Sequence, residues 1–179
     1  DHLFVDHQGH LYVADNNNSR IKFVPKTSGT YFGQSMIASN MYIIAGGGGS
    51  LGDGGPATSG KVVLPTGVTV DRQGNVYIAD TNQNLIRFIP KTGGTYFGQA
   101  MTANNIYSIA GGGGYLGDGG SATAGKLSAP NAVSVDAAGN LYIADKSQHR
   151  VRFVPQSSGI YFGQAMTANY IYTIAGNIR

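Results

Sequence analysis

The chain has 179 residues, a formal net charge of +3 and only 12% charged residues, about half of the roughly 25% usual for soluble domains. It contains 28 glycines and no cysteine, which excludes disulfides, thiolate metal sites and cysteine nucleophiles. The basic residues form no stripe of the kind that nucleic-acid binding needs, and no apolar run reaches 18 residues. We therefore predict neither a nucleic-acid partner nor membrane insertion.

The chain consists of three copies of one unit. The run Gly-Asn-Val-Tyr-Ile-Ala-Asp at 74–80 returns at 139–145 with Leu in place of Val, and a related run occupies 9–15. The period between equivalent residues is 65, as between Asp15 and Asp80. Self-similarity at a fixed period indicates a repeat architecture. The expected units are 1–49, 50–114 and 115–179, of which the second and third begin with a Gly-rich linker.

Within the second unit, apolar residues follow the two-residue period of strands. Short runs of this kind lie at 67–71, 76–80, 85–90 and 106–110, and polar turns separate the first three. Pro90 has no N–H to donate and should end the third strand. Four short strands per unit, in three units, predict an all-β fold made of propeller blades. An open solenoid of β-units is the structural alternative.

These residues also carry a family resemblance. The segment 65–87 resembles an NHL repeat, and the third unit has Gln-His-Arg-Val-Arg at 148–152, close to the stretch that names the family. The Gly-Asp-Gly-Gly-Pro-Ala-Thr segment at 52–58 resembles the linker of NHL repeats in bacterial surface proteins and teneurin-like proteins. The resemblance implies NHL-type β-propeller blades, with three four-stranded repeats forming half of a six-bladed ring. It also implies a bacterial protein that is extracellular, secreted or on the cell surface.

Every acidic residue after Asp1 is an Asp at a repeated position. One set precedes polar turns, where Asp accepts hydrogen bonds from backbone amides; it comprises Asp15, Asp80 and Asp145. A ring of carboxylates that binds a cation is the functional alternative for this set. The same turn interpretation applies to Asp6, Asp71 and Asp136. Asp53 and Asp118 lie in Gly-Asp-Gly-Gly loops that offer too few carboxylates for calcium and lack the Gly-Lys-Ser/Thr of a phosphate loop, which favours a structural linker.

Two groups of residues are candidates for binding a partner. The repeated Gly-x-Tyr-Phe-Gly-Gln insert presents aromatic rings that can stack on sugars or hold a protein, and its tyrosines are Tyr31, Tyr96 and Tyr161. Packing against the blade edge or a neighbouring blade is the alternative. Turn residues that differ between units can form a site on one blade only; these are Asn16, Arg20, Thr81, Lys146, His149 and Arg150.

The sequence shows no catalytic constellation. His2, His7 and His10 lie near the start of the chain, and a hairpin can bring such residues together as metal ligands. Because no matching set of carboxylates accompanies them, we predict no metal site and no cofactor. The chain also lacks Glu, Gly-x-Ser-x-Gly and His-Glu-x-x-His. We therefore expect that it is not an enzyme.

The leading functional expectation is a non-catalytic interaction scaffold, a fragment of a larger repeat protein, that binds a protein or carbohydrate partner. The alternative is a propeller lyase or hydrolase with a metal or His site over the central channel, and a third hypothesis is a structural spacer. A three-blade arc leaves two blade faces uncovered, which favours association. We therefore expect a homodimer that closes six blades.

Overall fold

The computed structural model describes residues 2–176, which form three antiparallel sheets and three two-stranded hairpins. The helical segments in this range are single 3₁₀ turns, at Ala57–Ser59, Thr81–Gln83, Ala122–Ala124 and Lys146–Gln148. None of the helices described is long and apolar enough to cross a membrane. The chain is all-β, as the sequence predicts.

The first blade is a meander in which each strand pairs with the preceding one of the sheet. Its strands are β1 (His2–Val5), β2 (Leu11–Asp15), β3 (Arg20–Val24) and β6 (Tyr42–Ala45). Between β3 and β6, the insert forms a separate hairpin of β4 (Gly29–Tyr31) and β5 (Gln34–Met36). This hairpin has no counterpart in the four strands that the two-residue period predicts.

The second and third blades repeat this arrangement. The second contains β7 (Pro65–Val70), β8 (Val76–Asp80), β9 (Leu85–Ile89) and β12 (Tyr107–Gly111), with the hairpin β10 (Gly94–Tyr96) and β11 (Gln99–Met101). The third contains β14 (Pro130–Val135), β15 (Leu141–Asp145), β16 (Arg150–Val154) and β19 (Tyr170–Gly176), with the hairpin β17 (Gly159–Tyr161) and β18 (Gln164–Met166). The linker strand β13 (Gly120–Ser121) pairs with β19 and widens the third sheet.

The apolar core lies between blades. On β8, Val76 and Ile78 point to the first blade, whereas Tyr77 and Ala79 point to the third. We call the first side of a blade its leading face and the other its trailing face. One core cluster joins the trailing face of blade 1 to the leading face of blade 2, and a second joins blades 2 and 3 in the same way. Blade 2 therefore buries both of its faces against its neighbours, whereas blades 1 and 3 each bury one face in this way.

The insert hairpin turns through a Phe-Gly pair with an unusual backbone. Phe32 and Gly33 both have positive φ, at 51° and 73°, as a two-residue type I′ turn requires. An aromatic residue with positive φ is strained, yet Phe97 and Phe162 at the equivalent positions also have positive φ. The Phe32 ring lies 5.3 Å from that of Phe23 and 6.4 Å from that of Tyr12. These ring contacts fix the hairpin on the trailing face and offset the strain.

A run of four glycines carries the chain from one blade into the next linker. Gly111 and Gly112 have φ of 93°, in the region that favours glycine. Gly113 has no such φ, but a Cβ there would lie 1.6 Å from the carbonyl oxygen of Ala124. Around Gly114 nothing lies within 4 Å of a Cβ. The crossing of the two backbone segments therefore requires three of the four glycines.

We expect Gly113→Ala to lower the free energy of unfolding by about 2 kcal/mol or more, because the backbone must move to accept the new methyl group. Gly114→Ala is the matched control and should change it by no more than about 0.5 kcal/mol. Urea denaturation followed by circular dichroism measures both. Equal effects of the two substitutions would contradict the close approach of Gly113 to Ala124.

Candidate functional site

A buried arginine joins each Gly-rich linker to its blade. The Arg87 side chain in β9 is fully buried, and its Nη2 donates to the carbonyl of Leu51, 2.8 Å away, and to the Asp53 carboxylate. Its Nη1 donates to the carbonyl of Lys61 over 3.0 Å. Both ends of the linker loop are thus held by one side chain from the blade that follows. This contact gives the Gly-Asp-Gly-Gly segment its structural role.

The same arrangement recurs in the third blade. Arg152 donates to the Leu116 carbonyl over 2.7 Å and to Asp118 over 2.6 Å. In the first blade, where the sequence shows no such linker, Lys22 occupies the equivalent position and pairs with Asp15. Sequence reasoning missed this role of the arginines. The signal was the joint occurrence of Arg in mid-strand with a Gly-Asp-Gly-Gly linker in units two and three.

Asp80 shares the buried space beside Arg87. Its Oδ1 accepts a hydrogen bond from the Val63 amide over 2.8 Å, whereas its Oδ2 has no hydrogen-bond partner and lies 3.6 Å from Arg87 Nη1. Burial raises the pKa of Asp80 to about 6, although the Val63 amide and Arg87 act in the opposite direction. Burial also raises the pKa of Asp145. A protonated carboxyl at Asp80 leaves Arg87 neutralised by Asp53.

The second set of aspartates is committed to turns. Asp71 Oδ1 accepts from the backbone amides of Gln73 and Asn75, and its Oδ2 accepts from the side chains of Asn75 and Tyr77. Burial, with the Asp71 charge, raises the pKa of the Tyr77 hydroxyl. Asp6 and Asp136 make the corresponding contacts. These are the hydrogen bonds that the sequence predicts for aspartates that stabilise turns.

Among the N-terminal histidines, His2 and His10 have separate environments. His10 is buried, its Nδ1 accepts from the Lys26 amide over 3.0 Å, and its ring contacts Phe23 and Tyr31. Asn75 makes the same bond to the amide of Lys91 in the second blade. His2 accepts from the Val68 amide instead. Within residues 2–176, no three His or acidic side chains come together as a group that would hold a metal ion.

Two of the turn residues that differ between units, Asn16 and Thr81, contact the next blade. Thr81 Oγ1 donates to the Pro130 carbonyl of blade 3 over 2.7 Å, and Asn16 Nδ2 donates to the Pro65 carbonyl of blade 2 over 3.4 Å. Arg20 packs against Gly47. His149 has a left-handed backbone at the end of a 3₁₀ turn, between Lys146 and Arg150. In each blade, these residues and the Asp71-type turn lie at opposite ends of one strand.

Among the clefts at the blade junctions, two contain a candidate tyrosine of the insert. The first, of about 370 Å³, lies between blades 1 and 2, and the second, of about 550 Å³, lies between blades 2 and 3. They are built from equivalent positions, so Tyr31 lines the first and Tyr96 the second. The Tyr96 hydroxyl donates to the carbonyl of Thr92 over 3.1 Å, which fixes its ring. Tyr31 and Tyr96 are thus the predicted insert tyrosines that the structure places in these clefts, whereas Tyr161 lines neither of them.

The clefts differ in what covers their aromatic rings. In the first, Lys91 Nζ lies 5.6 Å from the centroid of Tyr31 and 5.7 Å from that of Phe32, a cation–π arrangement. Gln156 takes the position of Lys91 in the second cleft. Arg72 and Gln73 line both clefts, on the wall that faces the rings in the first cleft and on the side of the rings in the second. The wall that faces the rings of the second cleft is formed by the smaller Ala137 and Ala138. The second cleft is therefore wider, and its Tyr96–Phe97 pair has no cation over it among the described residues.

The sequence and the fold of this chain are similar to those of known proteins. Residues 2–109 match the teneurin NHL domain family. The chain is 34% identical over 93 residues to Teneurin-3 of Danio rerio, an alignment that covers 48% of this chain and 3% of that protein. Two solved Bacteroides thetaiotaomicron structures have a similar fold: a protein of unknown function (TM-score 0.58, 18% identity, 80% of this chain and 32% of that one) and an auxiliary nutrient binding protein (TM-score 0.59, 16% identity, 85% and 36%).

Fold and repeat together define a β-propeller protein built from NHL repeats, as the sequence predicts. The chain belongs to the teneurin NHL domain family, since the family match covers more than half of its residues. It spans 3% of the length of the curated relative that it matches. That relative is an animal protein, so the bacterial origin implied by the resemblance stays a prediction.

We expect Asp80 to make stability fall as the pH rises. Its folded pKa of about 6 lies above the ordinary value of about 3.9, so the folded state binds the proton more tightly between these pH values. The contribution of the Asp80 proton to the free energy of unfolding is fully present below about pH 4 and is lost by about pH 6. Its magnitude is about 3 kcal/mol at most.

Asp80→Asn isolates this effect, because Asn keeps an acceptor for the Val63 amide and carries no charge. Free energies of unfolding of both proteins, measured in urea from pH 4 to 7, should show a difference that changes in favour of the variant as the pH rises. A difference that stays constant across this range would contradict the raised pKa of Asp80.

Proposed function

We propose that this chain is a non-catalytic interaction module that binds a protein or glycan partner, and that the second cleft is its binding site. The observation that supports this most directly is the exposed face of the Tyr96–Phe97 pair beside Arg72 and Gln73. Aromatic rings supply contact area at low entropic cost, and the neighbouring polar groups supply directional hydrogen bonds.

The dimensions of the second cleft favour a glycan over a flat protein surface. Its volume of about 550 Å³ falls within the roughly 300–1,000 Å³ of small-ligand sites. A protein interface needs about 800 Å² from each partner and extends over a broad surface. A sugar ring can lie on the Tyr96 or Phe97 face while its hydroxyl groups meet Arg72, Gln73 and Gln156.

A non-catalytic role is consistent with how the acidic residues are used. The carboxylates of Asp71 and Asp136, which line the second cleft, already accept several hydrogen bonds within their own turns. A propeller lyase or hydrolase remains the alternative, and it requires His or acidic side chains from different blades that converge on one substrate. An extracellular or cell-surface location is a further part of the proposal and rests on the family resemblance.

The difference between the two clefts provides a reciprocal test. Gln156→Lys should place an ammonium group over Tyr96 and Phe97, as Lys91 does over Tyr31 and Phe32, and so fill the second cleft. We expect this variant to remain folded and to weaken glycan binding at least tenfold. Lys91→Gln is the matched control, because it empties the first cleft and leaves the second unchanged.

The measurement is binding to an oligosaccharide array, followed by calorimetric titration of the best soluble glycan. Binding that survives in Gln156→Lys would contradict the second cleft as the site. If the wild-type chain binds no glycan, the glycan proposal is wrong. Release of a modified or shortened sugar during incubation would favour the enzyme alternative.

A further inference from the structure

The lysine of the first cleft shows how a cation lies on the aromatic pair of the insert. Lys91 belongs to blade 2, and its Nζ lies 5.6 Å from the ring centroid of Tyr31 and 5.7 Å from that of Phe32, both in blade 1. An ammonium group within about 6 Å of a ring centroid is attracted by the negative face of the ring. Lys91 forms no ion pair with the acidic residues that the structure describes, so the two rings are its electrostatic partners.

The second cleft presents the same ring pair in the same geometry. Phe88 packs against both rings, with centroid distances of 5.2 Å to Tyr96 and 5.4 Å to Phe97. In the first blade, the corresponding distances from Phe23 are 5.2 Å and 5.3 Å, and the interplanar angles of the two blades differ by 3° or less. The rings therefore offer a cation the same two faces in both clefts.

Gln156 leaves the position of the ammonium open in the second cleft. Its stem follows that of Lys91, because its Cγ lies 3.4 Å from where a Cβ of Gly139 would be, and the Cγ of Lys91 lies 3.6 Å from the corresponding point at Gly74. A glutamine side chain is shorter than that of lysine and carries no charge. The space over the rings that an ammonium occupies in the first cleft is consequently accessible in the second.

The charges that line the two clefts differ in sign. With histidine neutral, Asp6, Arg72 and Lys91 give the first cleft a formal net charge of +1, whereas Asp71, Asp136 and Arg72 give the second −1. The carboxylates of Asp71 and Asp136 accept hydrogen bonds from neutral donors and form no ion pair within residues 2–176. Their charges can therefore attract a cation into the second cleft without contacting it.

We propose that the ligand of the second cleft is a glycan that carries a free ammonium group, as a glucosamine unit does. The ammonium lies over Tyr96 and Phe97, as that of Lys91 lies over the rings of the first cleft, and the sugar hydroxyls meet the amides of Gln73 and Gln156. This ligand class rests on the proposed function, in which a glycan occupies the second cleft. The chain as a whole carries a charge of +3, so binding of a cationic sugar depends on the local site rather than on the overall charge.

The test compares two sugars that differ in the charged group, a glucosamine tetrasaccharide and its fully N-acetylated form. Each is titrated calorimetrically into the whole chain, in mildly acidic buffer that keeps the sugar amines protonated. Acetylation removes the ammonium and keeps the sugar rings. The N-acetylated sugar should therefore bind at least tenfold more weakly than the glucosamine sugar.

Substitutions at Gln156 change the charge beside the rings. Gln156→Glu should strengthen binding of the glucosamine sugar at least threefold, with no comparable gain for the N-acetylated sugar, because it places a carboxylate next to the ammonium. Gln156→Lys covers the rings with an ammonium of the chain itself and should abolish the preference for the charged sugar. Gln8→Glu is the matched control, because it adds the same charge in the first cleft, and it should leave the affinity within twofold of the wild type. Gln8 and Gln156 are exposed, so the variants should fold as judged by circular dichroism.

The outcomes separate the ammonium group from the glycan site. Equal binding of the two sugars, lost in Gln156→Lys, would keep the second cleft as a glycan site and show that the ammonium does not determine binding. Binding of neither sugar would refute the ammonium ligand, and the proposed function would stand only if an array identifies a different glycan. A preference for the glucosamine sugar that Gln8→Glu raises as much as Gln156→Glu would contradict the second cleft as its origin. Binding of a lysine-rich peptide but of neither sugar would overturn the glycan as the source of the ammonium.

Discussion

The structure depends on one constraint: a blade of this repeat cannot cover its own apolar faces. Side chains alternate along each strand, so Val76 and Ile78 point to one neighbour while Tyr77 and Ala79 point to the other. The burial that stabilises the fold therefore forms only when blades stand side by side. Residues at equivalent positions therefore differ in exposure according to whether a blade stands beside them, as the contrast between Val68 and Leu3 shows. The inter-blade clefts follow as well, because they lie where the edges of adjacent faces diverge.

The linker adds a second, polar level of organisation. Arg87 and Arg152 hold their linkers by donating to backbone carbonyls at both ends and to one Asp within. A buried guanidinium is costly unless its hydrogen bonds are satisfied, and these contacts supply most of them. Asp80 lies in the same buried space, where burial disfavours its charged form. The Asp80 carboxyl also contacts the linker itself, through the Val63 amide.

Much of the fold could be predicted from the sequence, because the relevant signals are local and occur three times. The period of 65 residues and the alternation on both sides of Asp80 define the blade strands. The insert hairpin could not be predicted in this way, since a Phe-Gly turn lacks the usual Asn-Gly signal and depends on ring contacts with Phe23. The burial of Arg87 depends on a linker 34 residues away. The difference between the clefts depends on contacts between blades: Lys91 of blade 2 covers rings of blade 1, whereas Gln156 of blade 3 occupies the equivalent position beside blade 2.

Burial between blades stabilises this chain, and one pair of substitutions at a repeated position measures that stabilisation. The free energies of unfolding of Val68→Ala and Leu3→Ala should be measured in urea, at concentrations low enough for the chain to be monomeric. Val68→Ala should lower the free energy of unfolding by about 2 kcal/mol, because it leaves a cavity at the junction of blades 1 and 2. Leu3→Ala, at the exposed equivalent, should change it by no more than about 0.5 kcal/mol. Equal losses at the two positions would contradict stabilisation by burial between blades, because the stability would then arise within each blade.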